Sequence, residues 1–253
     1  MWAGNYYTHG GCMRGVFVDF EATGKEPALS RITQVAFSIY DLNEKRELYH
    51  YSCLIKPEGD YEIDPMAQLI TGITKEQLHE FGEKLEAAFD RLMAALHSCS
   101  YLVAHNLHNY DLPLLKAENL RLGRIDFKLP SLIDTRYDLP IPKHITTRKL
   151  THLGAELGLV NPAAHSARHD VDMLAMVFFK FPLEEILYRA LSPNIWIRAN
   201  VGYETREKAK SRQFMYDGNT KKWYKNLKEV DLALESKEYD FTYEIMPADF
   251  KGL

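Results

Sequence analysis

Two carboxylates stand two residues apart in an apolar run: Asp19 and Glu21, within Met-Arg-Gly-Val-Phe-Val-Asp-Phe-Glu-Ala-Thr-Gly, residues 13–24. Strand side chains alternate faces, so both acids project from the same face. A solvent-facing edge strand would explain the charges, but Val16, Phe17, Val18 and Phe20 around them argue for a buried strand. Like charges held side by side raise one another's pKa. A cation between them removes that penalty, and oxygen ligands at this density suit a hard divalent ion such as Mg²⁺ or Mn²⁺.

Two further acids have distinctive settings. Asp111 is followed by Leu-Pro-Leu-Leu. Proline is tolerated only in a helix's first turn, which puts Asp111 at a helix N-terminus where the dipole favours an ionised carboxylate. Simple capping is an equal account of it. Asp170 lies in His165–Phe179, a segment of helical periodicity. With about 100° per residue, Leu174 falls about 40° from Asp170, Phe178 about 80° and Val171 about 100° on one side, and Val177 about 20° on the other. Asp170 therefore lies inside the edge of the apolar face, where an unpaired carboxylate is expensive. Asp172 falls on the far side and is expected to be the solvated charge. His165 sits on the loop entering this helix. A loop imidazole, with an ordinary pKa of about 6.5, can serve as a general base or have no role at all.

The elements that must position these groups follow from the patterning. After the first strand, a turn at 24–30 leads into strands over 31–40 and 45–56. A hairpin-like link at 41–44 makes them antiparallel. Asp64-Pro65 starts a short helix that Gly72 ends. Residues 83–97 form an amphipathic helix, and 101–104 a short buried strand running into the helix from Asp111. A strand over 131–137 and a helix capped by Thr146 or Thr147 and ended by Gly158 precede the Asp170 helix. Strands alternating with helices after an antiparallel meander predict an α/β domain with a mixed sheet.

The chain has 253 residues, a net charge of −4 and 46% apolar residues, a globular composition that makes the chain as a whole no polycation. Three widely spaced cysteines, Cys12, Cys53 and Cys99, suggest a reducing compartment, hence a cytoplasmic location. No run approaches the roughly 20 apolar residues of a membrane span, so no membrane partner is expected. Residues 1–12 lack a signal peptide's apolar core and are read as an N-terminal extension without a functional role.

Three stretches together resemble the motifs of the DnaQ-like 3′→5′ exonuclease family. Asp19-Phe-Glu21-Ala-Thr-Gly is similar to its first motif, Asp-x-Glu-x-Thr-Gly. Leu102-Val-Ala-His105-Asn106 through Asp111 is similar to the second, with a His-to-Asp spacing like that of the mammalian repair exonucleases acting on DNA 3′ ends. His165-Ser-Ala-Arg-His-Asp170 is similar to the third, His-x-Ala-x-x-Asp. Ile70-Thr-Gly-Ile-Thr74 and Leu132-Ile-Asp-Thr135 add lesser similarities, and the resemblance covers roughly residues 14–182. It implies a ribonuclease-H-like fold, a mixed β-sheet flanked by helices, over residues 13–190. It also implies two-metal hydrolysis with two Mg²⁺ (or Mn²⁺) ions per site. In that scheme Asp19 bridges the ions, Glu21 and Asp170 complete one site, Asp111 holds the other partly through water, and His165 deprotonates the attacking water. Ala22, Thr23, Gly24 and, with a turn-stabilising role as the alternative, Asn106 contact substrate. The expected partners are DNA or RNA 3′ ends, single-stranded favoured, with DNA favoured over RNA in repair or replication. An exoribonuclease and a non-catalytic nucleic-acid-binding subunit are the competing readings.

Beyond Leu191 the character changes. Residues 197–228 carry nine Lys/Arg against three acids, and 229–253 carry seven acids against two lysines. The expectation is a small basic α+β module at 195–228 followed by an acidic tail at 229–253. A strand is predicted over 195–201, a helix over 204–212, and a hairpin over 214–225 turning at Asp217-Gly218. Phe214, Tyr216, Trp223 and Tyr224 either stack bases beside Lys221, Lys222 and Lys225, or form the core of so small a module. Docking on a second subunit makes a homodimer one expected assembly.

Overall fold

The computed structural model describes residues 13–125, 127–142, 144–161 and 165–250. The expected extension at 1–12 lies outside them. The chain divides into two compact units, Met1–Leu187 and Tyr188–Leu253.

The first unit is built on a six-stranded mixed sheet. Its strands are β1 (Arg14–Ala22), β2 (Ile32–Asp41), β3 (Arg46–Lys56), β4 (Glu83–Lys84), β5 (Tyr101–Ala104) and β6 (Ser131–Asp134), in the order β4-β3-β2-β1-β5-β6. The β1–β2 and β2–β3 pairs are antiparallel; β3–β4, β1–β5 and β5–β6 are parallel. The helices are α1 (Pro65–Thr71), α2 (Lys75–Phe81), α3 (Leu85–Ser98), α4 (Asp111–Arg121), α5 (Thr135–Asp138), α6 (Leu150–Glu156), α7 (Ala167–Phe178) and α8 (Leu183–Leu191), which crosses the division between the units.

Central β1 is buried on both faces. Val16, Val18, Phe20 and Ala22 enter the core with Phe89 and Leu92 of α3 and Leu114 and Leu115 of α4. On the other face Phe17 meets Phe178 of α7 edge-on at 5.1 Å. From Phe178 back to Asp170 is about 12 Å of helix. From Phe17 forward to Asp19 and Glu21 is about 7 to 13 Å of strand. Running antiparallel to β1, α7 thus carries Asp170 to the acids' end of the strand.

Most expected elements form, and the differences have local causes. The strand expected over 131–137 stops at Asp134, whose side chain accepts the Arg136 N–H and starts α5. The helix expected from Thr146 or Thr147 begins at Leu150, because Thr147 Oγ1 accepts the Lys149 N–H instead. Besides α5, the helices α2 and α8 were also not foreseen. The capping box of Thr74 and Gln77 opens α2, which buries only Leu78, and α8 follows Pro182 and buries only Ile186. The first offers no long apolar stripe; the second carries Leu183, Ile186, Leu187, Ala190 and Leu191 at helical spacing, a pattern that went unassigned. Asp172, expected to be solvated, is half-buried and paired with Arg168 at 2.9 Å.

The second unit contains β7 (Asn194–Ala199), α9 (Arg206–Ser211), β8 (Met215–Asp217), β9 (Lys222–Lys228), α10 (Glu229–Glu235) and β10 (Tyr243–Ile245), with the sheet in the order β10-β7-β9-β8. Ile197, Ala199, Ala209, Phe214, Leu227 and Leu232 form its core. The expected separation of basic module and acidic tail does not hold. Residues 229–245 supply α10 and pair β10 with β7, and their acids neutralise the module's cations. Arg198 meets Glu244 at 2.5 Å, Lys208 meets Asp240 at 2.9 Å, Arg212 meets Glu238 at 2.9 Å, and Lys225 pairs with Glu235. Opposite charges adjacent in sequence fold onto one another.

Buried Glu118 of α4 anchors the turn after β1. Its Oε1 accepts the Ile32 N–H at 2.9 Å and pairs with Arg31 at 3.2 Å and Arg121 at 3.1 Å. Arg121 in turn donates to the carbonyls of Ser30 and Ala28. Removing a buried carboxylate that neutralises two arginines leaves them uncompensated. Glu118→Ala is expected to lower unfolding stability by about 3 kcal/mol. Glu118→Gln should cost less, because its amide oxygen can keep the Ile32 bond. Denaturant titration of the three proteins checks both.

Candidate active site

Asp19 and Glu21 project from β1 opposite Ala36 and Gln34 of β2, and the pairing shifts register between Glu21 and Ala22. Such an irregularity bends a strand and re-aims its side chains. Gln34 turns its side chain to α7, where Oε1 accepts the Ala167 N–H at 3.0 Å. One strand pair thereby sets both the two acids and the start of the helix bearing Asp170. Each of Asp19, Glu21 and Asp170 offers a carboxylate oxygen, and these oxygens lie within 4.8 Å of one another. Asp170 is 8% exposed. Its Oδ1 accepts from Asn161 Nδ2 at 2.8 Å, and its Oδ2 from the His165 backbone N–H at 2.9 Å.

Asp111 comes from β5's side. Because β1 and β5 are parallel, β5 delivers the loop at 105–110 to the same end of the sheet as Asp19 and Glu21. Buried Asp111 accepts the Phe20 N–H. Among the described residues its Oδ1 meets no hydrogen-bond donor. A buried carboxylate oxygen without a donor is expensive in a protein interior. Asp111 is not one of the three close-set ligands, but its charge acts on Asp19.

The electrostatics match this crowding. Burial, then the charges of Asp111, Glu21 and Asp170, push the Asp19 carboxyl well above the usual range. Burial and Asp170 raise Glu21 to about 7. Burial, joined by the charges of Asp134 and Glu21, raises Asp111 to about 8 against the Phe20 hydrogen bond. Burial raises Asp170 despite its donors. Four acids that resist ionising together, one with a bare buried oxygen, fit a hard divalent cation.

The remaining predicted residues surround this cluster. His165 is exposed, and its backbone is left-handed at φ 66°, held by the bond to Asp170. Thr23 is buried and fixes the turn: its N–H donates to the Arg31 carbonyl, its Oγ1 accepts the Arg31 N–H, and its carbonyl accepts the Asp64 N–H. The Gly24 carbonyl accepts the Tyr110 hydroxyl at 2.7 Å, tying the Ala22–Thr23–Gly24 turn to the residue before Asp111. Asn106 also has a left-handed backbone (φ 66°), and its Oδ1 accepts from Asn109. This is the turn-stabilising arrangement weighed for it.

Two supporting features were not assigned from sequence. Fully buried Asp134 accepts the N–H groups of Asn106 at 2.9 Å, His108 at 3.1 Å and Arg136 at 3.1 Å, so it shapes the loop leading to Asp111. Its place in Leu132-Ile-Asp-Thr135 was the only signal. His105 is half-buried between the Arg148 carbonyl at 2.7 Å and Thr135 Oγ1 at 3.0 Å, and desolvation lowers its pKa to about 4. The neutral ring donates from Nε2 to that carbonyl, which fixes its role as a structural strut. Near the turn, α1 buries no side chain and exposes Met66, Leu69 and Ile70.

Clustered acids at the end of a central strand, opposed by a helix across a mixed sheet, define a nuclease of ribonuclease-H-like architecture. The sequence model of a family described as Exonuclease (RNase T type) matches residues 16–178, and the chain belongs to this DnaQ-like family of hydrolytic exonucleases. No curated protein sequence matches the chain. Among solved structures it is similar to exonuclease I, in work on that enzyme's processivity, at 22% identity and a TM-score of 0.59 over 74% of this chain and 48% of that one. The zinc-bound complex of E. coli exonuclease I with single-stranded DNA gives 22% identity and 0.58, over 78% and 50%. E. coli exonuclease I with a dA16 oligonucleotide gives 22% and 0.57, over 74% and 48%. The chain spans about half the length of these structures, and the likeness is one of fold. Among the described residues no helix is long and apolar enough to cross a membrane.

The raised pKa values set a pH dependence for the ion-free protein. Unfolded, these carboxyls lose their protons at ordinary acidic pH; folded, they hold them longer. The folded state is favoured while they are protonated, and it loses that advantage as pH climbs through about 7 for Glu21 and about 8 for Asp111. With a chelator present, the melting temperature should fall as pH rises from about 4 to about 8. Mg²⁺ should restore more of it at the upper end, and Asp19→Asn should flatten the profile. Thermal melts across pH, with chelator or with Mg²⁺, measure all three.

Proposed function

We propose that this chain is a metal-dependent 3′→5′ exonuclease that removes nucleoside 5′-monophosphates from single-stranded ends, DNA in preference to RNA. The observation that carries the reading is the convergence of Asp19, Glu21 and Asp170 within 4.8 Å, with Asp111 buried beside them and its Oδ1 bare. Asp19, Glu21 and Asp170 would hold one Mg²⁺ or Mn²⁺, Asp19 would bridge to a second, and Asp111 would hold that second ion partly through water. Bound there, two divalent ions lower the pKa of the attacking water and neutralise charge on the attacking and leaving oxygens.

The chain's own groups supply the rest. The His165 imidazole, exposed on a loop whose backbone is bonded to Asp170, takes the proton of the attacking water at Nδ1 or Nε2. The Ala22–Thr23–Gly24 turn, fixed from Arg31, Asp64 and Tyr110, receives the 3′-terminal nucleotide on a rigid backbone. The exposed apolar side chains of α1 adjoin that turn through the Asp64–Thr23 bond and suit the flat face of a terminal base. Asn106 lies on the loop that brings in Asp111 and has an amide at hand for substrate. The exonuclease I complexes with single-stranded DNA and with dA16 support the choice of single-stranded polymer.

Matched end-labelled DNA and RNA oligonucleotides, incubated with and without Mg²⁺, test the proposal. Shortening from the 3′ end with Mg²⁺ only, faster on DNA, is expected. No shortening with any divalent ion would leave a binding subunit instead, and faster loss of RNA would reverse the polymer preference. Asp19→Ala should abolish turnover, and His165→Ala should slow it by about 10²–10⁴-fold, both without a change in circular dichroism. Wild-type rates from Asp170→Asn would refute the ligand assignment.

A further inference from the structure

The second unit carries a surface that the catalytic reading does not use. In the register of its sheet Ala199 faces Trp223, and Tyr216 faces Trp223 from the other side. The end of β7, the start of β9 and the turn at 218–221 therefore lie at one end of the sheet. The chain leaving β7 there passes directly into a short helical turn at Tyr203–Thr205.

Trp223 packs partly against the core, but two other aromatic rings at this end stay largely outside it. Tyr216 is 52% exposed and packs against half-buried Trp223, with ring centroids 5.3 Å apart. Tyr203 is 77% exposed, with the Arg206 guanidinium 4.0 Å over its ring. A ring pinned on one side by a guanidinium offers its other face.

Arg206 lies 3.8 Å from Glu207, but two lysines at the same end escape the neutralisation seen elsewhere in the unit. The acids of 229–245 take Arg198, Lys208, Arg212 and Lys225. Lys221 and Lys222 are exposed, and among the described residues neither ammonium meets a carboxylate within 4.0 Å. Asp217 faces Lys222 across the hairpin, but its oxygens accept from the Asn219 and Thr220 N–H groups and the Thr220 hydroxyl. Those bonds fix the turn that presents both lysines.

We infer that this end of the second unit, built from Tyr203, Arg206, Tyr216, Lys221, Lys222 and Trp223, binds single-stranded nucleic acid. Free ammonium groups beside exposed ring faces complement a flexible polyanion whose bases can stack. A duplex hides its base faces, and an acidic peptide does not present a ring at every charged unit as a nucleic-acid strand does. The inference goes beyond the proposed hydrolysis and does not rest on it.

Fluorescence anisotropy with labelled oligothymidylate and oligouridylate tests it, with a chelator present so that nothing is cleaved. Lys221→Gln/Lys222→Gln should weaken binding about tenfold and make the slope of log K against log salt shallower by about 1.4, at about 0.7 per lost phosphate contact on a single strand. Tyr216→Ser, at an exposed position, should weaken binding about fivefold on base-bearing strands and leave an abasic strand unaffected. Affinity and slope unchanged in both variants, with wild-type circular dichroism, would overturn the inference. So would displacement of the oligonucleotide by polyglutamate from the wild type but not from the lysine variant, which would assign the surface to an acidic protein. Loss of Mg²⁺-dependent turnover alongside retained, lysine-dependent binding would count against the proposed hydrolysis only.

Discussion

Mutual repulsion among four carboxylates is the constraint the first unit is built to withstand. Asp19, Glu21, Asp111 and Asp170 come from one strand and two helices; burial pushes all four toward the neutral form, and neighbouring acids add to it at Asp19, Glu21 and Asp111. Left to itself the cluster would relax by spreading apart. The scaffold prevents this from the apolar side. Phe17 against Phe178 fixes α7 over β1, and Leu114 and Leu115 fix α4 beneath it. Hydrophobic burial at one end of β1 thus holds charge together at the other.

Polar supports then set the fine placement. Gln34 holds the first turn of α7 from the strand beside the acids, Asp134 gathers the backbone of the loop before Asp111, and Tyr110 bonds the turn after Glu21. Each support bonds main-chain atoms, so it fixes where a neighbouring functional side chain begins without occupying the space that side chain works in. Conformational strain occurs in the same region, although Lys45, Gln213 and Lys221 also take positive φ elsewhere. Asn106 and His165 both adopt left-handed backbones, a conformation a non-glycine residue holds only when its surroundings impose it. At His165 the bond to Asp170 imposes it.

The placement of the four acids and of the sheet around them was legible because local rules carry it, whereas the role proposed for His165 came from the motif resemblance alone. Alternation puts Asp19 and Glu21 on one face, Pro113 places Asp111 at a helix start, and helical periodicity turns Asp170 inward. What escaped depends on distant partners. Asp134 looks like any strand-end aspartate until the 105–110 loop is folded over it. Asp172 looks solvated until Ser38 and Glu47 of the sheet hold Arg168 in place beside it. The acidic stretch after 228 looked like a tail because its composition contrasts with what precedes it. In three dimensions the stretch folds back because Leu232, Tyr239, Phe241 and Tyr243 join the unit's core, and four of its acids then pair with the module's cations. The short helix α2 buries one side chain and carries no periodic signal, whereas α8 has Leu183, Ile186, Leu187, Ala190 and Leu191 at helical spacing and was legible but unassigned.

The pairing of β10 with β7 has a consequence for solubility. The strand Asn-Ile-Trp-Ile-Arg-Ala is among the most apolar in the second unit, and β10 covers the side of it that β9 does not. Without that cover its open amides and carbonyls would form a template for pairing with another chain. The outermost strand on that side is instead three residues long and carries Glu244, tied to Arg198. A short, charged border strand is a poor template for further growth, so residues 243–245 act as a selvage that keeps the unit from knitting to its neighbours.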